Sequence, residues 1–78
     1  MAKHLKNISP GLFRKYLTYK GLKHIRTNAG HEIWCRSDLK RPITFQTHID
    51  PIPEFIIKNN LRIMGTDRND FILFLKEG

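Results

Sequence analysis

Cysteine is almost missing from this chain. Cys35 stands alone, so no internal disulfide can form and no second thiol is present to start a cysteine-based zinc site. Long apolar runs are missing too. The longest, Phe71 to Leu75, falls far short of the ~20 residues that cross a bilayer, and residues 1–20 hold no signal-peptide hydrophobic stretch. These absences predict a soluble cytoplasmic protein with no membrane association. The five glycines, at 11, 21, 30, 65 and 78, are scattered and make no phosphate-cradling or dinucleotide-binding pattern, so no nucleotide cofactor is expected. The histidines at 4, 24, 31 and 48 lack the spacing of a helical metal site, and no metal is expected either. At 78 residues the chain is one small domain, 1–78, without a second core or a large self-contained cleft.

Acidic residues are scarce, 7 against 14 Lys and Arg, and the imbalance is local. Residues 1–48 carry ten Lys and Arg against two acids, whereas residues 49–78 carry four against five. Positive charge concentrated in one segment is the electrostatic footprint of a phosphate-backbone binder, and it equally suits a solubilising surface.

Periodicity supplies the fold. Ser9-Pro10 can cap and open a helix, and Leu12, Phe13, Tyr16 and Leu17 recur at helical spacing until Gly21, which predicts a helix over 10–20. From Leu22 to Thr47 β-branched and aromatic residues alternate with polar ones, predicting antiparallel strands near 22–28, 32–37 and 42–47. Alternation places Ile25, Ile33, Cys35, Ile43 and Phe45 on a helix-covered face. It leaves His24, Arg26, Glu32, Trp34, Arg36, Thr44, Gln46 and His48 on the other. Asp50-Pro-Ile-Pro53 ends the sheet and starts a second helix that buries Phe55, Ile56, Ile57 and Leu61. After Gly65-Thr66 a short last helix runs over 67–76. The sum is an α+β fold, an α-β-β-β-α two-layer sandwich with an extra short C-terminal helix. The aromatic residues Phe13, Tyr16, Phe45, Phe55, Phe71 and Phe74 are expected in its core.

His31 is the residue with the clearest chemical potential. It follows the Ala29-Gly30 turn, in a hairpin whose first strand carries Lys23 and Arg26. An imidazole can take a proton from a ribose 2′-OH or give one to a leaving 5′-oxygen, while nearby cations neutralise charge building on phosphorus. The alternative is a histidine that only hydrogen-bonds turn backbone.

The stretch Lys20-Gly-Leu-Lys-His-Ile-Arg-Thr-Asn-Ala-Gly-His-Glu-Ile-Trp34 resembles the signature of the HicA toxin family: a helix ending in Gly, a basic strand, a tight turn before His, and an aliphatic-aromatic pair. The likeness continues through Arg41-Pro-Ile-Thr-Phe-Gln-Thr-His48 and Pro53-Glu-Phe-Ile-Ile-Lys58, and spans about residues 8–74. In this chain the family's Gly-Ser before the histidine reads Ala29-Gly30, and the following residue is Glu32. The resemblance implies a double-stranded-RNA-binding-domain-like fold, an endoribonuclease that cuts mRNA as the toxin of a toxin-antitoxin system, and a HicB-like antitoxin partner covering the site. It places the functional histidine on His31. His48 is the second candidate for a two-histidine acid-base pair, with water or Lys23 as the other sources of the second proton transfer and a turn-capping role as its structural alternative. Lys20, Lys23, Arg26, Arg36, Lys40 and Arg41 are the expected RNA phosphate contacts. Trp34, placed outward by alternation, is expected to stack an unpaired base, contact the antitoxin, or pack in a homodimer. Two rivals stay open: a non-catalytic RNA-binding module of the same fold, and a protein-binding adaptor working through Trp34.

Overall fold

A computed structural model describes residues 7–77 of the chain. Helix α1 spans Pro10–Tyr19, and the Ser9 hydroxyl accepts from the Leu12 N–H at 3.1 Å, satisfying one of the free donors at its start. Gly21, at φ +86°, turns the chain out of the helix so that the Leu22 N–H reaches back to the Leu17 carbonyl. Strands β1 (Lys23–Asn28), β2 (His31–Cys35) and β3 (Ile43–Gln46) then form an antiparallel meander in sequential order. Helices α2 (Glu54–Ile63) and α3 (Arg68–Glu77) complete an α+β fold with three helices and one three-stranded sheet. The last helix is as long as the others, ten residues each, because Asp67 Oδ1 caps the Asp70 N–H and Phe71 anchors its first turn in the core.

Helices cover one sheet face. Phe13 and Tyr16 of α1, Trp34, Ile43 and Phe45 of the sheet, Ile57 and Leu61 of α2, and Phe71 of α3 form one buried cluster. Phe13 meets Phe45 edge-on at 5.2 Å, and Tyr16 lies 4.5 Å from Phe71, both within the range of favourable aromatic pairing. No helix among the described residues is long and apolar enough to cross a membrane.

The faces of β2 are the reverse of the alternation expected from sequence. Glu32 stands opposite Phe45 and Trp34 opposite Ile43, so both point into the core, 3% and 6% exposed. Ile33, Cys35 and His31 lie on the outer face. Directly opposed residues share a face, and β3 fixes the choice through Ile43 and Phe45, which are buried as expected. The large indole gains more by burial than Ile33 or Cys35, and Glu32 enters with its charge matched. In β1 the register shifts between His24 and Arg26, and this bulge leaves Ile25 56% exposed rather than buried. Phe55 also leaves the expected core and is 64% exposed. On the buried side of α2 Asn60 joins Ile57 and Leu61, donating from Nδ2 to the Thr44 carbonyl at 3.0 Å.

Candidate functional site

A buried polar cluster fixes the edge of the sheet that carries His31. Arg14 on α1 donates through Nε and Nη2 to the Glu32 carboxylate, Thr47 Oγ1 donates to Glu32 Oε2 at 2.6 Å, and Trp34 Nε1 donates to Oε1 at 3.0 Å. Arg14 Nη2 also donates to Thr47 Oγ1 at 2.9 Å, closing the ring. Burial pushes the Glu32 carboxyl up, but the bonds from Arg14, Thr47 and Trp34 together with the Arg14 charge outweigh it and hold the group at about 2. The Thr47 N–H, in turn, reaches the Gly30 carbonyl at 2.8 Å and ties the end of β3 to the hairpin turn. That turn needs two left-handed residues, Ala29 at φ +53° and Gly30 at φ +81°, the signature of a two-residue hairpin loop.

These ties leave His31 exposed at the start of β2, on the face without helices. Its register partners are Asn28 on β1 and Gln46 on β3, and the Gln46 amide nitrogen lies 3.5 Å from His31 Nε2. Glu32, next in sequence, points to the opposite face and is fully engaged there, so no contact brings it to His31. Beside His31 a groove of about 310 Å³ opens between β3 and the start of α2. Thr44 and Gln46 form one wall and Ile49, Phe55 and Ile56 the other. Among the described residues no three His, Cys, Asp or Glu side chains converge as a metal-holding group.

The other expected site residues divide into three groups. Arg26 and Lys23 share the outer face with His31, opposite Ile33 and Cys35. Lys20 and Arg36 are tied locally: Lys20 pairs with Asp70 at 3.1 Å, and Arg36 clamps Asp38 and the Lys20 carbonyl. Asp70 is held below the usual carboxylate range, first by the Tyr16 hydroxyl that donates to it at 2.6 Å and then by Lys20. Lys40 and Arg41 are exposed beyond the opposite end of β2, beside Arg62. His48 is exposed in the turn after β3, two residues past Gln46, the partner of His31. Trp34 is in the core, so it offers no open face to a base or a partner protein.

No family model, curated protein or solved structure matches the chain. What speaks for function is the local geometry: an exposed imidazole on a basic, helix-free sheet face, at the lip of a groove.

Gln46, Thr44 and Phe55 were not singled out as site residues by sequence reasoning. Gln46 and Thr44 were legible as outward-facing, and the direct pairing of Gln46 with His31 needed only the correct parity of β2. Phe55 carried a weaker signal, since it falls in line with Lys58 and Arg62 on one helical stripe.

Proposed function

We propose that this protein is a HicA-like toxin, a cytoplasmic endoribonuclease that cuts mRNA by attack of a ribose 2′-oxygen on the adjacent phosphorus and is neutralised by a HicB-like antitoxin. The observation that carries the reading is the placement of His31, exposed on the same face as Arg26 and Lys23 and at the lip of the groove. The element order helix, three-stranded meander, helix supports a double-stranded-RNA-binding-domain-like arrangement.

In this reading the 2′-oxygen bonds to phosphorus as its proton leaves, and the bond from phosphorus to the 5′-oxygen breaks as that oxygen gains a proton. The products are a 2′,3′-cyclic phosphate and a 5′-hydroxyl. His31 performs one of the two transfers. His48 is the candidate for the other, with water in reserve; Lys23 pairs with Cys35, four residues along β2 from His31, and so stands at the far end of the hairpin. Arg26, opposite Ile33 and so nearer to His31, lowers the energy of the charge that builds on the phosphoryl oxygens. An antitoxin that blocks His31 would meet this basic face with acidic residues.

The non-catalytic RNA-binding module is favoured by one observation: Gln46 is the only side chain within hydrogen-bond range of His31 among the described residues, and no carboxylate orients the ring. The adaptor reading through Trp34 loses its basis with the burial of that residue.

The deciding experiment incubates wild type and His31→Ala with a long unstructured RNA in EDTA and reads fragments and end chemistry. Cutting by wild type alone, with 2′,3′-cyclic phosphate ends, is the expected result. Intact RNA with both folded proteins overturns the ribonuclease reading in favour of the binding module.

A further inference from the structure

Helix α2 turns one mixed stripe to solvent. Phe55, Lys58 and Arg62 follow at intervals of three and four residues, which aligns side chains along one helix face, and all three are exposed. Phe55 stands at the His31 end, as the outer wall of the groove whose other wall carries Gln46 and Thr44. Arg62 stands at the far end and lines two shallow clefts. One, of about 410 Å³, also holds Lys58 and Arg68, and the other, of about 320 Å³, also holds Lys40 and Arg41.

None of these five cations takes part in the ion pairs formed among the described residues. The acids in the two clefts are already engaged, Asp38 by Arg36 and Asp67 by the Asp70 N–H. The stripe therefore joins an exposed aromatic ring to a run of five cations that outnumber the two acids, Asp38 and Asp67, lining the same clefts. An exposed ring of this size beside a polar wall suits a planar heterocycle that stacks on one side and hydrogen-bonds on its edge, and the cations suit phosphates.

We propose that this stripe is a track for single-stranded RNA, with one unpaired base stacked on Phe55 in the groove and the adjoining backbone running over Lys58 and Arg62 toward Arg41 and Lys40. The seven-residue step from Phe55 to Arg62 covers about 10 Å of helix rise, so base and phosphate sites fall along one short extended strand. A duplex keeps its bases stacked inward and cannot present one to Phe55. The inference rests on the ribonuclease reading in one respect: it sets the base beside the imidazole that would act on its sugar.

The test measures binding of a short single-stranded RNA with 2′-O-methyl riboses, which has no 2′-hydroxyl to attack phosphorus, against the matching duplex and against polyglutamate over a range of salt. Single strand is expected to bind more tightly than duplex. Phe55→Ala should weaken single-strand binding by about tenfold or more with an unchanged salt slope, and Phe55→Tyr should restore it. The double variant Lys58→Ala, Arg62→Ala should lower the salt slope by about 1.4, or ~0.7 for each phosphate left without its cation.

Circular dichroism confirms folding in each case, and the exposure of all three side chains keeps the substitutions out of the core. Equal affinity of folded Phe55→Ala and wild type, duplex binding as tight as single strand, or an unchanged slope in the double variant overturns the track. Polyglutamate binding as tight as RNA overturns it in favour of an acidic protein segment. Cleavage of unmodified RNA separates this inference from the ribonuclease reading. Wild type that leaves RNA intact while Phe55→Ala loses affinity supports the track and refutes the enzyme. Wild type that cuts while Phe55→Ala binds as well as wild type refutes the track alone.

Discussion

Replacing Glu32 with glutamine should cost about 3 kcal/mol at neutral pH, and the structure reaches that figure by two routes. The first is linkage. The carboxyl is held at about 2 against its usual 4.5, and at roughly 1.4 kcal/mol for each tenfold change in proton affinity the ionised form contributes about 3 kcal/mol. The second is the ion pair itself. Breaking a buried pair from one side costs about 3–5 kcal/mol. The Arg14 side chain is 39% exposed, so water recovers part of its charge and the low end applies.

Against a total stability of roughly 4–12 kcal/mol for a chain of this size, that is a large fraction. The sign of the pH dependence follows from the lowered value. Between about pH 4.5 and 2 the unfolded chain takes up a proton that the folded one refuses, so acid favours unfolding. The contribution is fully present above pH 4.5 and is lost as pH falls through about 2.

Urea titration followed by circular dichroism should place the variant midpoint roughly 1–3 M below wild type at neutral pH, with the slope unchanged. The gap should close as the two proteins are acidified. Equal midpoints at neutral pH would refute the assignment of the cluster as a major stabiliser. A gap that stays constant from neutral pH down to about pH 2 would refute the lowered carboxyl.

Removing the His31 imidazole should lower cleavage by about 10² to 10⁴-fold, the usual worth of a general acid or base, while leaving the urea midpoint close to wild type because the side chain is exposed; fragment yield and denaturation measured on His31→Ala check both. Trp34 is the only tryptophan and is 6% exposed, so acrylamide should quench its fluorescence weakly, and Trp34→Ala should cost about 3–5 kcal/mol; strong quenching in the native protein would contradict the core placement. Ala29 holds a left-handed backbone, so Ala29→Gly should relieve about 1 kcal/mol of strain, partly offset by the greater freedom of an unfolded glycine, and raise the melting temperature by up to a few degrees in a calorimetric scan. Asn60→Ala removes the donor to the Thr44 carbonyl and should destabilise by about 1–3 kcal/mol on the same instrument.

Element order and element ends were legible in the sequence because the signals are local. The Ser9 cap, the Gly21 stop and the alternation in β3 each act over a few residues, and the structure places α1, β3 and α3 within a residue or so of the expected bounds. Which residues face inward along β2 was not legible, because it depends on partners distant in the chain. Glu32 reads as a surface residue until Arg14, eighteen positions earlier, and Thr47, fifteen later, are known to converge on it. The bulge that turns Ile25 outward likewise comes from pairing rather than composition. For the candidate site, His31 was legible from its turn and its cationic neighbours. Its place beside Gln46 and the groove was hidden by the inverted parity. Lys40 and Arg41 looked like part of one patch with Lys23 and Arg26, but Lys23 pairs with Cys35, so the meander leaves Lys23, Lys40 and Arg41 at the end of the sheet away from His31 and brings only Arg26 toward it.

The cluster of Arg14, Glu32 and Thr47 also governs how the chain can vary in length. A slip of one position in the pairing of β2 would turn His31 and Ile33 inward and push Trp34 and Glu32 into water. Buried charge matched at one register and no other makes that slip costly. A one-residue change in the Ala29-Gly30 turn or in the connection from Arg36 to Pro42 is therefore absorbed within the loop, as a longer turn or a bulge, while the paired strands keep their faces.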